Sequence, residues 1–230
     1  MIDKNPEKIK NMFNALASRY DFMNFAISLG IQKIIKQKSV GFIKIKKGAR
    51  IADLCSGTGE IAELLARNEN VDKVFALDFS PDMLQIAKTK RKSGKISFIE
   101  GDCTNLPFES SSLDGCTLGF GLRNFENYEK VVSEIARVLK NGGFFLHLDL
   151  FKGNKPANKI FDILAVILAK IFSKSPESYK YLILSKNSFL SPEKLACAIE
   201  TQGLKCCKIR KWAFGMVSAQ LFIKDCSQQG

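Results

Sequence analysis

With 230 residues, 46% of them apolar and 25% charged, the chain has material for one domain with a full core, and disordered, collagen-like and low-complexity classes are excluded. Seven cysteines, at positions 55, 103, 116, 197, 206, 207 and 226, form an odd set without a C-x-x-C pair beside a single histidine, so neither a zinc site nor a disulfide framework is expected and reduced cytoplasmic thiols are. The net charge of +12 is concentrated in residues 1–50, where eleven lysines and arginines face three acids; a solvated surface is the plainest reading, an anionic membrane ranks second, and nucleic acid is not expected because no aromatic-studded basic motif is present.

In chain order, the polar stretch Met1 to Lys10 predicts no secretory signal. Residues 1–48 read as a helical lid, with Met12, Phe13, Leu16 and Tyr20 spaced for one face. Strands are predicted at Arg50–Leu54, Lys73–Leu77, Ile96–Glu100, Leu113–Phe120 and Phe144–Leu150. Between them, Ile61–Arg67, Pro81–Lys90 and Tyr128–Leu139 carry helical spacing. Ser80 followed by Pro81 is a helix start, and Arg137 to Gly143 reads as a helix end, a turn and the start of a fifth strand. This alternation implies βαβ units and a parallel sheet whose ligands bind beyond the carboxyl ends of the strands.

Residues 152–190 break the alternation as a helical insertion. Within it Ile160–Phe172 is apolar on nearly every side and too short to cross a bilayer. A buried helix is the first expectation; the rival is a helix that dips into lipid or walls a tunnel for a greasy substrate. A helix over Pro192–Thr201 and two strands, Leu204–Phe214 and Ala219–Ile223, follow. Gly215 lies in their turn, so an antiparallel hairpin closes the sheet.

The strand-to-helix turn Ala52-Asp53-Leu54-Cys55-Ser56-Gly57-Thr58-Gly59-Glu60 suits close backbone approach to a nucleotide cofactor. Asp78, ending the next strand, is placed to accept hydrogen bonds from ribose hydroxyls, and Asp102 is placed for an adenine amino group. Asp53 is expected to organise the loop by bonding its amides. Gly57 to Ala62 also satisfies a dinucleotide pattern, so the loop alone does not separate a nicotinamide enzyme from one using S-adenosyl-L-methionine (AdoMet). Fifty residues before the glycine strand, Asp102, and the Lys140-Asn141-Gly142-Gly143 turn shift the balance to AdoMet.

Four further blocks carry a family resemblance. Arg19-Tyr20-Asp21-Phe22-Met23-Asn24 with Ser28-Leu29-Gly30, Asn105-Leu106-Pro107-Phe108, Phe120-Gly121-Leu122-Arg123-Asn124, and Ser178-Tyr179-Lys180-Tyr181-Leu182 resemble segments of the ubiquinone and menaquinone C-methyltransferases. The resemblance runs from about residue 8 to residue 225. It implies a class I AdoMet-dependent methyltransferase (Rossmann-like) fold, with a mostly parallel seven-stranded sheet, a C-terminal antiparallel hairpin and helices on both faces. It also implies methyl transfer to a ring carbon of a polyprenylated quinol. Demethylmenaquinol is the nearest fit, with the 2-polyprenyl-6-methoxy-1,4-benzoquinol of ubiquinone synthesis as the alternative. Thr58, Asp78, Asp102, Cys103 and Gly119 match the family's AdoMet contacts, Gly119 standing where the family often has serine. Tyr20 matches a residue covering the cofactor, and Arg123 one near the substrate.

Quinol chemistry gives Arg123 and Asn124 their expected roles. A ring carbon becomes nucleophilic as the adjacent hydroxyl loses its proton, and a guanidinium stabilises the phenolate that develops. Asn124 would hold the second ring oxygen. A salt bridge fixing the loop is the competing role for Arg123. No general base is evident: His147 lies inside the fifth strand and is expected to be packed or solvent-facing, while Asp149, Asp21 and Tyr20 lie nearer the site. The expected setting is cytoplasmic with transient association at the inner membrane face, and a homodimer is admitted. An RNA methyltransferase and a noncatalytic AdoMet-binding partner are the remaining rivals; the chain lacks an N-P-P-Y type motif suited to the first.

Overall fold

The computed structural model describes residues 3–28, 30–172 and 176–225; Met1, Ile2, Leu29 of the S-x-G block and Cys226 lie outside the described residues. The strands are β1 (Ala49–Leu54), β2 (Val71–Asp78), β3 (Ile96–Glu100), β4 (Leu113–Gly119), β5 (Leu139–Leu150), β6 (Leu204–Trp212) and β7 (Val217–Lys224). They form one seven-stranded sheet in the order β3-β2-β1-β4-β5-β7-β6. β1 to β5 run parallel, and β7 pairs antiparallel with both β5 and β6. In β1 every residue except Arg50 is buried, as expected for a central strand covered on both faces.

Two local expectations are corrected. The turn expected around Asn141-Gly142-Gly143 is instead the irregular start of β5, which begins straight after the helix, with a register shift between Leu113 and Gly115 on its partner. β6 stops at Trp212 rather than Phe214 because Ala213 and Phe214 take left-handed backbone angles, φ 49° and 55°, and turn the chain.

The helices are α1 (Pro6–Leu16), α2 (Tyr20–Ser28), α3 (Ile31–Val40), α4 (Glu60–Ala66), α5 (Pro81–Lys90), α6 (Tyr128–Val138), α7 (Lys155–Phe172), α8 (Pro176–Ser188) and α9 (Pro192–Glu200). Their starts follow local chemistry. Asn5, Ser80, Asn127 and Ser191 each accept a hydrogen bond from the first turn, and Pro6, Pro81 and Pro192 occupy positions that need no donor. Alternate side chains of β1 face opposite ways. Ala52 and Leu54 pack into a cluster with α6 and α9 residues such as Val132, Ile135, Leu195 and Ile199, whereas Ile51 packs with Ile61 and Leu65 of α4.

The remaining helices cover the carboxyl ends of the strands. Met23 of α2 packs against Phe161 of α7 and Ile183 of α8, joining the N-terminal helices to the insertion. The expectation of a buried apolar helix is overturned: on α7, Ile160, Ile163, Leu164, Val166 and Ile167 are 43–60% exposed. Phe161 packs toward α2, and Ile160 and Leu164 face an apolar cavity. Among the described residues no helix is long and apolar enough to cross a membrane.

Candidate active site

Two cavities adjoin at the carboxyl ends of β1 to β5. The first, of about 500 Å³, is lined by Cys55 and Gly57 after β1, Asp78 and Phe79 at the end of β2, Asp102 and Cys103 after β3, and Gly119 at the end of β4. Lys4, Ile9 and Phe13 roof it from the N-terminal segment. The second, of about 410 Å³, is bounded by Met12, Leu16 and Met23, by Ile160, Phe161 and Leu164 of α7, by Met216, and by Arg123 and Tyr181. Phe13, Tyr20 and Phe120 line both cavities and so form the wall between them. Phe120 holds φ 61°, a costly angle for a bulky side chain, and its amide is fixed on the Leu148 carbonyl at 2.6 Å.

The first cavity fits a nucleoside-bearing ligand. Its volume lies in the range of small-molecule sites, about 300–1,000 Å³. Gly57 lines it at φ 53°, and a Cβ there would meet nothing within 4 Å, so bare backbone faces the space. Asp78 Oδ2 accepts from the Gly57 amide at 2.7 Å and Oδ1 from the Ser80 amide at 2.9 Å. Burial raises the Asp78 pKa above the ordinary carboxylate value, against the amides of Ser80, Gly57 and Phe79, which lower it. Asp102 is exposed on the rim and bonds the amide and hydroxyl of Thr104.

Other predicted cofactor residues fall elsewhere. Asp53 lines neither cavity. Its Oδ1 takes the Thr117 hydroxyl of β4 at 2.6 Å, and the expected bonds to the glycine-loop amides are not made: those of Gly57 and Gly59 go to Asp78 and to the Ser56 carbonyl. Burial pushes its pKa up to about 7, the Thr117 bond and the Ala62 amide opposing. Thr58 and Gly59 also lie outside the linings; the Thr58 hydroxyl donates to Asp21 at 2.6 Å, and Asp21 in turn pairs with Lys90, tying α2 to the loop and to α5. Gly119 lines the cavity, but a Cβ there would come 2.4 Å from Ile61 Cδ1, so a serine requires Ile61 to turn away.

Arg123 and Asn124 straddle the wall, Arg123 on the apolar cavity and Asn124 on the other. Arg123 is only 5% exposed; its Nη1 donates to Asp149 Oδ1 and to the Phe120 carbonyl, both at 2.5 Å. The salt bridge weighed against a substrate role is therefore present, on a side chain that also lines the cavity. Burial pushes the Asp149 pKa up, but the Arg123 charge and His147 outweigh it and hold the carboxyl below its ordinary value. His147 is fully buried in β5, its Nδ1 3.0 Å from Gln220 Oε1, which agrees with a packed residue.

The sequence left some lining residues unassigned. Phe79, Met83, Phe161 and Met216 are ordinary apolar side chains whose position depends on tertiary packing. Tyr181 stood in a quoted block without a role, and that block was the one signal for it.

Comparison with known proteins agrees with this architecture. A model of the ubiE/COQ5 methyltransferase family matches residues 1–224. A demethylmenaquinone methyltransferase of Bacteroides fragilis is 33% identical over 93% of this chain and 91% of its own, and one of Bacillus mycoides is 31% identical over 97% and 98%. Among solved structures, an S-adenosyl-L-methionine-dependent methyltransferase from Methanococcus maripaludis shares the fold, with a TM-score of 0.66 and 20% identity over 93% of each chain. The chain belongs to the ubiE/COQ5 methyltransferase family and is a methyltransferase with AdoMet as its methyl donor.

Proposed function

We propose that the protein methylates a ring carbon of demethylmenaquinol to give menaquinol. One observation carries the reading: a cavity edged by strand-end carboxylates adjoins a second, apolar cavity that holds a buried arginine, with a single aromatic wall between them. The demethylmenaquinone methyltransferases above support a naphthoquinol over the benzoquinol alternative.

When bound, AdoMet supplies a methyl group already activated on a sulfonium. The Gly57 backbone, Asp78 and Asp102 would hold it, Asp78 through ribose hydroxyls and Asp102 through the adenine amino group, with Tyr20 and Phe13 covering. Arg123 stabilises the phenolate that forms as the quinol hydroxyl gives its proton to water; after the methyl group is transferred, the same ring carbon loses its hydrogen as a proton to water, which restores the aromatic ring, and the oxygen regains a proton from water. Two bonds from Nη1 fix the Arg123 guanidinium, and of its five N–H donors the buried Nε has no partner. Asn124 steadies the second ring oxygen. Asp149, held ionised by Arg123, anchors that guanidinium and does not act as the base.

The apolar cavity opens among side chains suited to a prenyl tail. Ile31 and Phe214 line it and are themselves exposed, and Phe22, Phe25 and Ile34 on α2 and α3 with Ile163, Val166 and Ile167 on α7 add exposed apolar surface. With Lys33, Lys155 and Lys159 nearby in sequence, this surface docks transiently on the cytoplasmic face of an anionic membrane, where the tail resides.

The test is mass spectrometry of acceptors after incubation with isotopically labelled AdoMet. Reduced demethylmenaquinone gains one labelled methyl on carbon. Labelling of the benzoquinol alone would transfer the assignment to ubiquinone synthesis.

A further inference from the structure

The Tyr181 hydroxyl donates to Asn124 Oδ1 at 3.2 Å, and the bond crosses the boundary between the cavities, since Tyr181 lines the apolar one and Asn124 the other. The apolar cavity's lining from α7 and α8 is otherwise Ala157, Ile160, Phe161, Leu164 and Leu182, so among the described residues Tyr181 is the polar group those helices supply. Arg123 reaches the same cavity from the loop after β4. The two are close enough for the guanidinium charge to act on the phenol, yet burial dominates and pushes the Tyr181 pKa up to about 12. The hydroxyl therefore keeps its proton across the working range and serves as a donor, not as a base.

Resting on the quinol-methylating reading above, we propose that Tyr181 is a second hydrogen-bond donor to the acceptor's developing phenolate, acting beside Arg123. A phenolate oxygen takes two or more donors, and in a cavity with few polar groups each preorganised donor counts for more than in water. Entry of the ring exchanges the Asn124 amide oxygen for the ring oxygen as the partner of Tyr181. The proton of the ring hydroxyl goes to water, and Tyr181 retains its own.

Tyr181→Phe removes the hydroxyl and keeps the ring. The expected result is a fall in kcat of about 100-fold with calorimetric AdoMet affinity unchanged. The rising limb of the kcat against pH profile should move to higher pH, because a less stabilised phenolate forms later. Parental kcat and an unmoved profile would overturn the proposal, since a packing role alone loses nothing with the hydroxyl. A second readout does not require turnover. Bound 1-naphthol, titrated by absorbance, should ionise at higher pH in Tyr181→Phe than in the parent. With 3-fluorotyrosine at position 181, a stronger donor in an almost unchanged side chain, it should ionise at lower pH. Identical naphthol titrations, with methyl transfer to demethylmenaquinol intact, defeat the role of Tyr181 alone; no transfer to any quinol by the parent defeats the underlying reading.

Discussion

Asp53 illustrates what a single buried carboxyl does to stability. At 1% exposure, with Thr117 as its hydrogen-bond partner, its pKa rises from 3.8 to about 7, so the folded state binds a proton that the unfolded state releases. The stability this confers is full below the unfolded value near 4 and is lost as pH rises toward 7. Asp78 is raised as well and acts in the same sense. Asp53→Asn keeps an acceptor for Thr117 and removes the charge, so its thermal midpoint should fall less between pH 4 and pH 8 than the parent's. The difference in slope is at most about 1.4 kcal/mol per pH unit. Equal slopes in the two proteins would contradict the assignment.

The same residue marks the limit of reading a site from sequence. The placement of Asp78 and Asp102 on the cavity was legible because strand ends in a parallel sheet converge on one edge. That of Asp53 and Thr58 was not, since whether a side chain beside a glycine loop faces the cavity depends on which neighbour offers a hydrogen bond. Here Thr117 and Asp21 do. The two roles weighed for Arg123 are likewise compatible in a way only tertiary placement shows, since one guanidinium meets both Asp149 and the cavity.

At the scale of elements, α7 departs most from expectation. A helix apolar on nearly every side ordinarily reads as core, yet five of its large side chains remain 43–60% exposed, Ile160 and Leu164 on the apolar cavity. The sequence could not separate a buried helix from an exposed one because the same composition fits both; the difference lies in what packs against the helix. Ile163, Val166 and Ile167 are about half exposed, so a combined Ile163→Ser, Val166→Ser and Ile167→Ser variant should keep a thermal midpoint close to the parent's. Flotation with anionic liposomes should fall sharply, and the parent's own flotation should weaken as salt screens its lysines. Parental flotation in the variant would place the contact elsewhere.

For the whole molecule, alternation of apolar strands with helical spacing was enough to give the parallel sheet and the closing hairpin, because each βαβ unit has little topological freedom. The cap was only partly legible. Lid helices were expected, but their seam with the insertion, Met23 on Phe161 and Ile183, joins segments about 140–160 residues apart and depends on packing that local periodicity does not carry. That seam gives the fold its two compartments. Without α2, α7 and α8, the cavity around Arg123 would lie open to water, and a guanidinium in water stabilises a phenolate far less.

The account rests on transfer between adjoining cavities to a ring activated by its own hydroxyl. A single-turnover quench tests it most directly. The protein is first saturated with labelled AdoMet and then mixed with demethylmenaquinone in reduced or oxidised form. Label should appear on the ring carbon of the reduced acceptor, up to one methyl per chain, and none on the oxidised ring, which has no hydroxyl to ionise. Equal labelling of both forms, or none from fully bound AdoMet, would contradict it.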